Sequence, residues 1–249
     1  MLEIKKVTKT FGGFTAVDKL SMSVASGRVC GFLGPNGAGK TTTMRMITGI
    51  IQPTDGEIHV NGVSVESDPT ATKRIVGYVP DRPYLYEKLT AFEYMEFIAG
   101  VYSLDLPGAQ SRAEHLITLF GLGEVMHHEI ESYSHGMKQR LVMSSVLLCK
   151  PKLMVVDEPM VGLDPNGARL LKDILRQEAQ ENGMAILLST HSLDVAEEVC
   201  DEIVMINKGQ LVAQGSPAEI RALAKDPEGD LESAFIELTA PQQASIERS

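Results

Sequence analysis

Hydrophobic and polar residues alternate through the first 30 residues of the chain. The apolar positions of this stretch are Ile4, Val7, Ala16, Leu20, Met22 and Val24. A period of two, with Gly12-Gly13 and Ser26-Gly27 as turns, predicts antiparallel strands that bury one face. A further hairpin is predicted over Glu57–Val65, because Asn61-Gly62 is a strong two-residue turn signal.

Unbroken apolar runs alternate with helical patterns elsewhere. The runs predict strands at residues 29–33, 76–79, 153–156, 185–189, 202–206 and 211–213. Helical patterns are predicted at residues 40–49, 166–181 and 193–200. Strands without alternation, each joined to the next through a helix, are typical of a parallel sheet that is covered on both faces.

Residues 89–149 have a helical pattern throughout. Thr90 and Glu93 have the spacing of a capping box, and Ser134 begins a longer helix that reaches Leu148. We therefore predict an α/β fold with a mainly parallel sheet, an N-terminal antiparallel β subdomain and an inserted helical subdomain. The predicted division assigns residues 1–81 and 151–220 to the α/β core and residues 82–150 to the insert.

Residues 221–249 are predicted to form an acidic C-terminal tail with one short helix. Asp230 is the expected cap of this helix, and Leu231, Phe235 and Leu238 would share its apolar face.

Charge and composition exclude several classes of protein. The 249 residues include 23 Lys and Arg against 33 Asp and Glu, a net charge of −10, which argues against nucleic acid as a partner. No apolar stretch approaches the roughly 20 residues that span a bilayer. The charged residues of Met1–Lys6 are unlike a signal peptide, so we expect a protein that is not exported. The 3 cysteines form no CxxC pair and fit a reducing compartment.

A phosphate-binding motif lies between the first predicted parallel strand and its helix. Gly34–Thr41 matches G-x-x-x-x-G-K-[ST]. Gly37 and Gly39 would let backbone N–H groups face phosphate oxygens, Lys40 would supply a mobile positive charge, and the Thr41 hydroxyl would bind Mg²⁺. A flexible glycine loop is the alternative interpretation, but the strand before and the helix after the motif favour phosphate binding.

Two acidic residues and a histidine end neighbouring apolar strands. Asp157 and Glu158 follow the run at residues 153–156, and His191 follows residues 185–189. Parallel strands deliver such residues to the edge where α/β folds bind ligands. Asp157 is predicted to hold Mg²⁺, Glu158 to be the general base for an attacking water, and His191 to bind the γ-phosphate. A solvated Asp-Glu loop and a merely exposed histidine are the alternatives.

The order of these motifs resembles the nucleotide-binding subunit of ABC transporters over about residues 2–220. The matching segments are the phosphate loop, Ser134–Arg140 (SHGMKQR), Val155–Pro159 (VVDEP), Gly162–Pro165 (GLDP) and Ser189–His191 (STH). The resemblance implies a P-loop NTPase core and a head-to-tail dimer that encloses two ATP molecules. One chain would contact each ATP through Gly34, Pro35, Asn36, Gly37, Ala38, Gly39, Lys40, Thr41 and Thr42. The other would contact it through Ser134, His135, Gly136 and Met137.

The resemblance also implies roles for residues outside those motifs. Phe11 would stack on adenine with Val17 nearby, although a core position for Phe11 is the alternative. Asp164 would lie in a loop that contacts the partner's site. Asp81 stands where the family usually has glutamine, and a carboxylate there could bind Mg²⁺ but could not donate a hydrogen bond. His135 and Met137 stand where the family usually has glycine and glutamine.

The implied function is that of an ATP-hydrolysing motor subunit. It would work with ATP and Mg²⁺, a separate transmembrane permease chain and a second nucleotide-binding subunit, which could be the same or a different chain. The expected location is cytoplasmic, on the inner face of the cell membrane. The C-terminal segment is similar to that of exporter subunits, so export is the expected direction. A soluble ABC ATPase switch and a regulatory subunit with impaired turnover are the alternatives.

Overall fold

A computed structural model describes residues 1–223 and 230–239 of the chain. The strands in this part of the chain are β1 (Leu2–Phe11), β2 (Phe14–Val24), β3 (Val29–Leu33), β4 (Asp55–Val60), β5 (Val63–Ser64), β6 (Val76–Val79), β7 (Leu153–Asp157), β8 (Ala185–Ser189), β9 (Glu202–Asn207) and β10 (Gln210–Gly215). Their α-helices are α1 (Lys40–Ile47), α2 (Pro69–Ile75), α3 (Ala91–Val101), α4 (Leu106–Leu119), α5 (His135–Leu148), α6 (Pro165–Asn182), α7 (Leu193–Val199), α8 (Pro217–Ala222) and α9 (Leu231–Thr239).

The strands form two sheets. An antiparallel sheet has the order β2-β1-β4-β5, and a larger sheet has the order β10-β9-β3-β8-β7-β6. In the larger sheet β9, β3, β8, β7 and β6 run parallel, and β10 is antiparallel to β9. The predicted mainly parallel sheet with an N-terminal antiparallel subdomain is therefore confirmed.

Both faces of the parallel sheet are covered. Strand β3 is wholly buried: Val29 and Leu33 belong to the hydrophobic cluster on one face, whereas Cys30 and Phe32 belong to the cluster on the other. Burying a side chain of this size contributes about 1.5–3 kcal/mol to the free energy of folding. This two-sided burial explains why the strand sequences are continuous apolar runs rather than alternating ones.

The helical insert lies between β6 and β7. Helices α3, α4 and α5 pack together there, and the capping box between Thr90 and Glu93 is present. Ser134 caps α5, as predicted. The helices occupy the predicted segment, while the boundaries of the domains themselves stay a prediction.

Two short helices were not predicted from the sequence. Asp68 caps α2, with Pro69 as its first residue, and Ser216 forms a capping box with Glu219 at the start of α8. Each helix has only one buried residue, so the apolar period that predicts helices is missing. The caps were the signals that could have identified both.

The predicted C-terminal helix is present as α9. The Asp230 Oδ1 atom accepts a hydrogen bond from the Ser233 N–H at 2.8 Å, and Leu231 and Ala234 are buried. The rest of the predicted acidic tail, residues 224–229 and 240–249, lies outside the described residues. Within the described part of the chain, no helix combines the length and hydrophobicity that crossing a membrane requires.

Candidate functional site

The phosphate loop, Gly34–Thr41, connects β3 to α1 and depends on its glycines. Gly39 caps α1 with φ +106°, and a methyl group there would lie 2.7 Å from the Ala16 carbonyl oxygen. The backbone can therefore take this path only without a side chain at that position. Since the first N–H groups of a helix have no partners within it, the start of α1 can bind an anion.

The Lys40 side chain folds over its own loop. Its Nζ donates hydrogen bonds to the carbonyl oxygens of Gly34 at 2.6 Å and Pro35 at 3.3 Å. Burial lowers the pKa of Lys40, against the opposing influence of Glu158 and Asp157. The carbonyl bonds replace water at the ammonium and hold this charge beside the place where phosphates would bind.

Asp157 ends β7 as a buried carboxylate that two hydroxyl groups satisfy. The Thr41 Oγ1 donates to its Oδ2 at 3.0 Å, and the Ser189 Oγ donates to its Oδ1 at 2.5 Å. Ser189 also accepts a hydrogen bond from the Glu158 N–H at 3.0 Å. The sequence analysis placed Ser189 in the STH segment without a role of its own, and its role is indicated by its place opposite Asp157 in the pairing of β7 with β8.

Glu158 and His191 form a pair beyond these strand ends. The His191 Nδ1 lies 2.8 Å from the Glu158 Oε2. Glu158 has φ +49°, a conformation that non-glycine residues rarely adopt, and the bond from its N–H to Ser189 holds it there. The Glu158 side chain is largely buried while that of His191 is 68% exposed, so the carboxylate is fixed at the edge of the sheet and the imidazole faces solvent.

These residues surround a pocket of about 610 Å³, named here the nucleotide pocket. Most of the predicted nucleotide-binding and metal-binding residues line it, namely Asn36, Gly37, Ala38, Gly39, Lys40, Thr41, Thr42, Asp81, Asp157 and Glu158. Gly34, Pro35 and His191 line a smaller adjoining cavity. Seven lining residues were not among the predicted site residues, namely Phe14, Ala16, Arg45, Tyr78, Pro80, Arg82 and Tyr84.

Phe11 and Val17 do not line the nucleotide pocket. Val17 is fully buried next to Gly39, and its neighbour Ala16 lines the pocket instead. Phe11 pairs with Phe14 across the hairpin between β1 and β2, and the Lys9 Nζ lies 5.0 Å from the centre of its ring. Adenine stacking by Phe11 therefore stays a prediction, with Phe14 as a second exposed aromatic ring at the same turn.

The signature segment, Ser134–Met137, lies apart from the residues that line its own chain's nucleotide pocket. The Ser134 Oγ accepts a hydrogen bond from the Met137 N–H at 3.3 Å. The His135 ring packs on the loop that precedes α6, so closely that a methyl group at Gly162 would lie 2.8 Å from its Cδ2. Asp164 caps α6, since its Oδ1 accepts from the Gly167 N–H at 3.0 Å.

The donor atoms of the pocket suit Mg²⁺. Thr41 and Asp157 present a hydroxyl and a carboxylate within hydrogen-bond distance of each other, and Mg²⁺ prefers such oxygen ligands together with water and phosphate. Among residues 1–223 and 230–239 no cluster of three or more His, Cys, Asp or Glu could hold a metal alone.

Comparisons with known proteins agree on one family. The family described as "ABC transporter" matches residues 17–161. The chain is 33% identical over 249 residues to the uncharacterised ABC transporter ATP-binding protein YhcH of Bacillus subtilis, covering 98% of this chain and 77% of that protein. It is 35% identical over 220 residues to the linearmycin resistance ATP-binding protein LnrL of the same organism, covering 88% and 70%.

Solved structures agree with the sequences. A structure of an ATP-binding subunit of an ABC transporter superposes with a TM-score of 0.90 at 32% identity, covering 96% of this chain and 99% of that one. The phosphate loop, the acidic end of β7 and the capped helix α5 stand in the order that the resemblance implies. The chain therefore belongs to the ABC transporter family, as an ATP-binding subunit and an ATPase.

Proposed function

We propose that this ATPase works as a head-to-tail dimer, with Glu158 as the general base, and drives export through a separate permease chain. The observation that carries the proposal is the convergence of Lys40, Thr41, Asp157 and Glu158 on one pocket at the carboxyl ends of parallel strands. The chain would lie on the inner face of the membrane through contact with the permease.

Each residue has a defined part in the proposed hydrolysis. Glu158, held by Ser189 and by His191, would accept a proton from the water that attacks the γ-phosphate. Lys40 would move from the Gly34 and Pro35 carbonyl oxygens to the phosphates. Thr41 and Asp157 would hold Mg²⁺, which when bound neutralises charge on the phosphate oxygens. His191 would orient the γ-phosphate from the exposed side of the pocket.

The proposed dimer follows from the position of the signature segment. Ser134 is exposed at the start of the 14-residue helix α5, whose first N–H groups could bind an anion. Because this helix start is not part of its own chain's pocket, a second chain would have to supply the phosphate. Gly136 lies close to the Gly162 carbonyl oxygen, so the loop before α6 would lie at the same interface.

A groove beside the insert supports a permease partner. It has a volume of about 320 Å³ between α3, α5 and β6, and its lining includes Ile50, Tyr84, Ile98 and Tyr102. Tyr84, Ile50 and Tyr102 are 84%, 56% and 40% exposed along this one groove, and a contiguous exposed apolar patch is typical of an interaction site. The drug-resistance name of LnrL supports export as the direction of transport.

Co-purification tests the proposed function as a whole. The tagged chain would be expressed in its native host, extracted from gently solubilised membranes and analysed by mass spectrometry. We expect a multi-span membrane protein in stoichiometric amount. Reproducible recovery of soluble or ribosomal partners alone would refute the transporter assignment, and a second nucleotide-binding chain would show that the dimer is mixed.

Asp81→Asn tests the proposed metal contact. The Asp81 carboxylate lines the nucleotide pocket, so its neutralisation should weaken any attraction for Mg²⁺. We expect the Mg²⁺ concentration for half-maximal ATPase activity to rise about threefold to tenfold, the effect of roughly 1 kcal/mol. Asp55→Asn is the matched control, because Asp55 is an exposed residue at the start of β4 in the other sheet. An unchanged Mg²⁺ dependence would exclude the contact.

Phe11→Ala and Phe14→Ala together locate the adenine site. Stacking of a base on an aromatic ring contributes about 1–3 kcal/mol, so loss of the Phe11 ring should weaken ATP binding by roughly 5- to 100-fold. Phe14 lines the nucleotide pocket, and we expect Phe14→Ala to weaken ATP binding less than Phe11→Ala does. The measurement is titration with a fluorescent ATP analogue. A larger effect of Phe14→Ala would move the adenine site to the Phe14 ring.

A further inference from the structure

The C-terminal helix α9 is fixed to the ATPase core at both ends. It packs against α7, α8, β9 and β10. Asp230 caps its start, and the Asn207 side-chain amide donates to the Thr239 carbonyl oxygen at 2.8 Å near its end. Leu231 and Ala234 are each only 1% exposed. The helix therefore has a defined position on the sheet edge.

One face of α9 shares cavities with the loop of His191 and with the phosphate loop. Phe235 lines a cavity of about 190 Å³ together with Pro35 and Asn36 of the phosphate loop and with Thr190, His191 and Leu193. A neighbouring cavity of about 210 Å³ joins His191 to Asp230 and Leu231 at the start of the helix. The loop of His191 thus lies between α9 and the nucleotide pocket.

His191 needs support from such a neighbour. The His191 ring forms a hydrogen bond with Glu158 through Nδ1, and 68% of the side chain is exposed. An imidazole that is so exposed can change rotamer easily, and its direction then depends on how its short loop is packed. Three large apolar side chains, Leu33, Leu193 and Phe235, line that cavity with His191, and Phe235 is the one that α9 supplies.

We infer that Phe235 is a positioning residue for ATP hydrolysis, through which α9 holds the His191 loop against the phosphate loop. This inference rests on the proposed roles of Glu158 and His191. Misplacement of a catalytic group by about 1 Å can reduce a rate by about 100-fold, so even partial loss of the support should be measurable.

Phe235→Ala tests this role against a matched control on the same helix. Ile236 is 61% exposed, so Ile236→Ala removes a similar apolar side chain without opening the cavity. In the 249-residue chain we expect Phe235→Ala to lower kcat about tenfold with KM for ATP within twofold, and Phe235→Leu to restore most of the rate. Ile236→Ala should behave like the unchanged chain. Equal kcat values for the two alanine variants would overturn the inference.

A double-mutant cycle with His191→Ala separates positioning from general destabilisation. If Phe235 acts through His191, Phe235→Ala should cause no further loss of kcat in the His191→Ala background. The same tenfold loss in both backgrounds would refute the inference. Thermal unfolding accompanies each variant, and if Phe235→Ala does not fold, the intermediate truncation Phe235→Val takes its place in the cycle.

Glu158→Gln distinguishes failure of this inference from failure of the proposed function. If Glu158→Gln abolishes turnover while Phe235→Ala matches Ile236→Ala, only the role of α9 is refuted. If Glu158→Gln keeps its turnover, the proposed base is refuted, and with it the inference that depends on that base.

Discussion

Replacement of Glu158 by glutamine should lower the rate of ATP hydrolysis by about 10²–10⁴-fold while ATP remains bound. The amide keeps the size of the side chain, but it cannot accept the proton of the attacking water at neutral pH. The contacts of the phosphate loop are untouched, so affinity for ATP should stay within about threefold. Release of inorganic phosphate and binding of radiolabelled ATP measure the two quantities separately.

A second result should accompany the lost turnover. If two chains enclose ATP, the Glu158→Gln variant should accumulate as an ATP-bound dimer that light scattering detects. Glu181→Gln is the matched control, because Glu181 is exposed near the end of α6. Turnover above half of the original rate would remove Glu158 from its role as base. A monomer at saturating ATP would argue instead against pairing of two identical chains.

Replacement of Lys40 by methionine should weaken ATP binding by about 10- to 100-fold. Methionine keeps an unbranched stem but loses the ammonium group, and hydrogen bonds to charged groups contribute about 1.5–3 kcal/mol each. The carbonyl oxygens of Gly34 and Pro35 also lose their hydrogen-bond donor. The free energy of unfolding without ATP should change little, because the loop faces the open pocket and water can replace the donor. Isothermal titration with ATP measures the affinity.

Lys152→Met controls for the loss of one positive charge. Lys152 is exposed before β7 and does not line the nucleotide pocket. The Lys152→Met variant should bind ATP with the affinity of the unchanged chain. The affinity of Lys40→Met for ATP should stay low even when the salt concentration is lowered. Equal affinities of the two variants would show that Lys40 does not contact the phosphates.

The sheet and the phosphate loop could be predicted because the residue types that each one requires stand at adjacent positions in the sequence. A strand that is buried on both faces must be apolar along its whole length, as Val29–Leu33 is. The positive φ of Gly39 likewise requires glycine whatever surrounds it. Each requirement can therefore be read in a few adjacent residues.

Contacts between distant parts of the chain could not be predicted in the same way. The contact of Ser189 with Asp157 depends on the register of β7 against β8, and the packing of His135 on Gly162 depends on how the insert packs against the core. The positions of Phe14 and Val17 could not be predicted for the same reason. A shift of one residue in the register of β2 would exchange the side chains that reach the pocket with those that are buried. Serine, histidine and phenylalanine have no local pattern that reports such contacts.

The connection of the insert to the sheet has a mechanical consequence. Helices α3, α4 and α5 leave the sheet after β6 and return at β7, and these two strands are immediate neighbours. Adjacent strands are only about 4.8 Å apart, so the two chain connections of the insert lie side by side, and α5 packs on β6 next to them. A small rotation of the insert against the sheet would therefore displace most the insert residues that lie farthest from these two connections. The strand ends that carry Asp157 and Ser189 would stay in place.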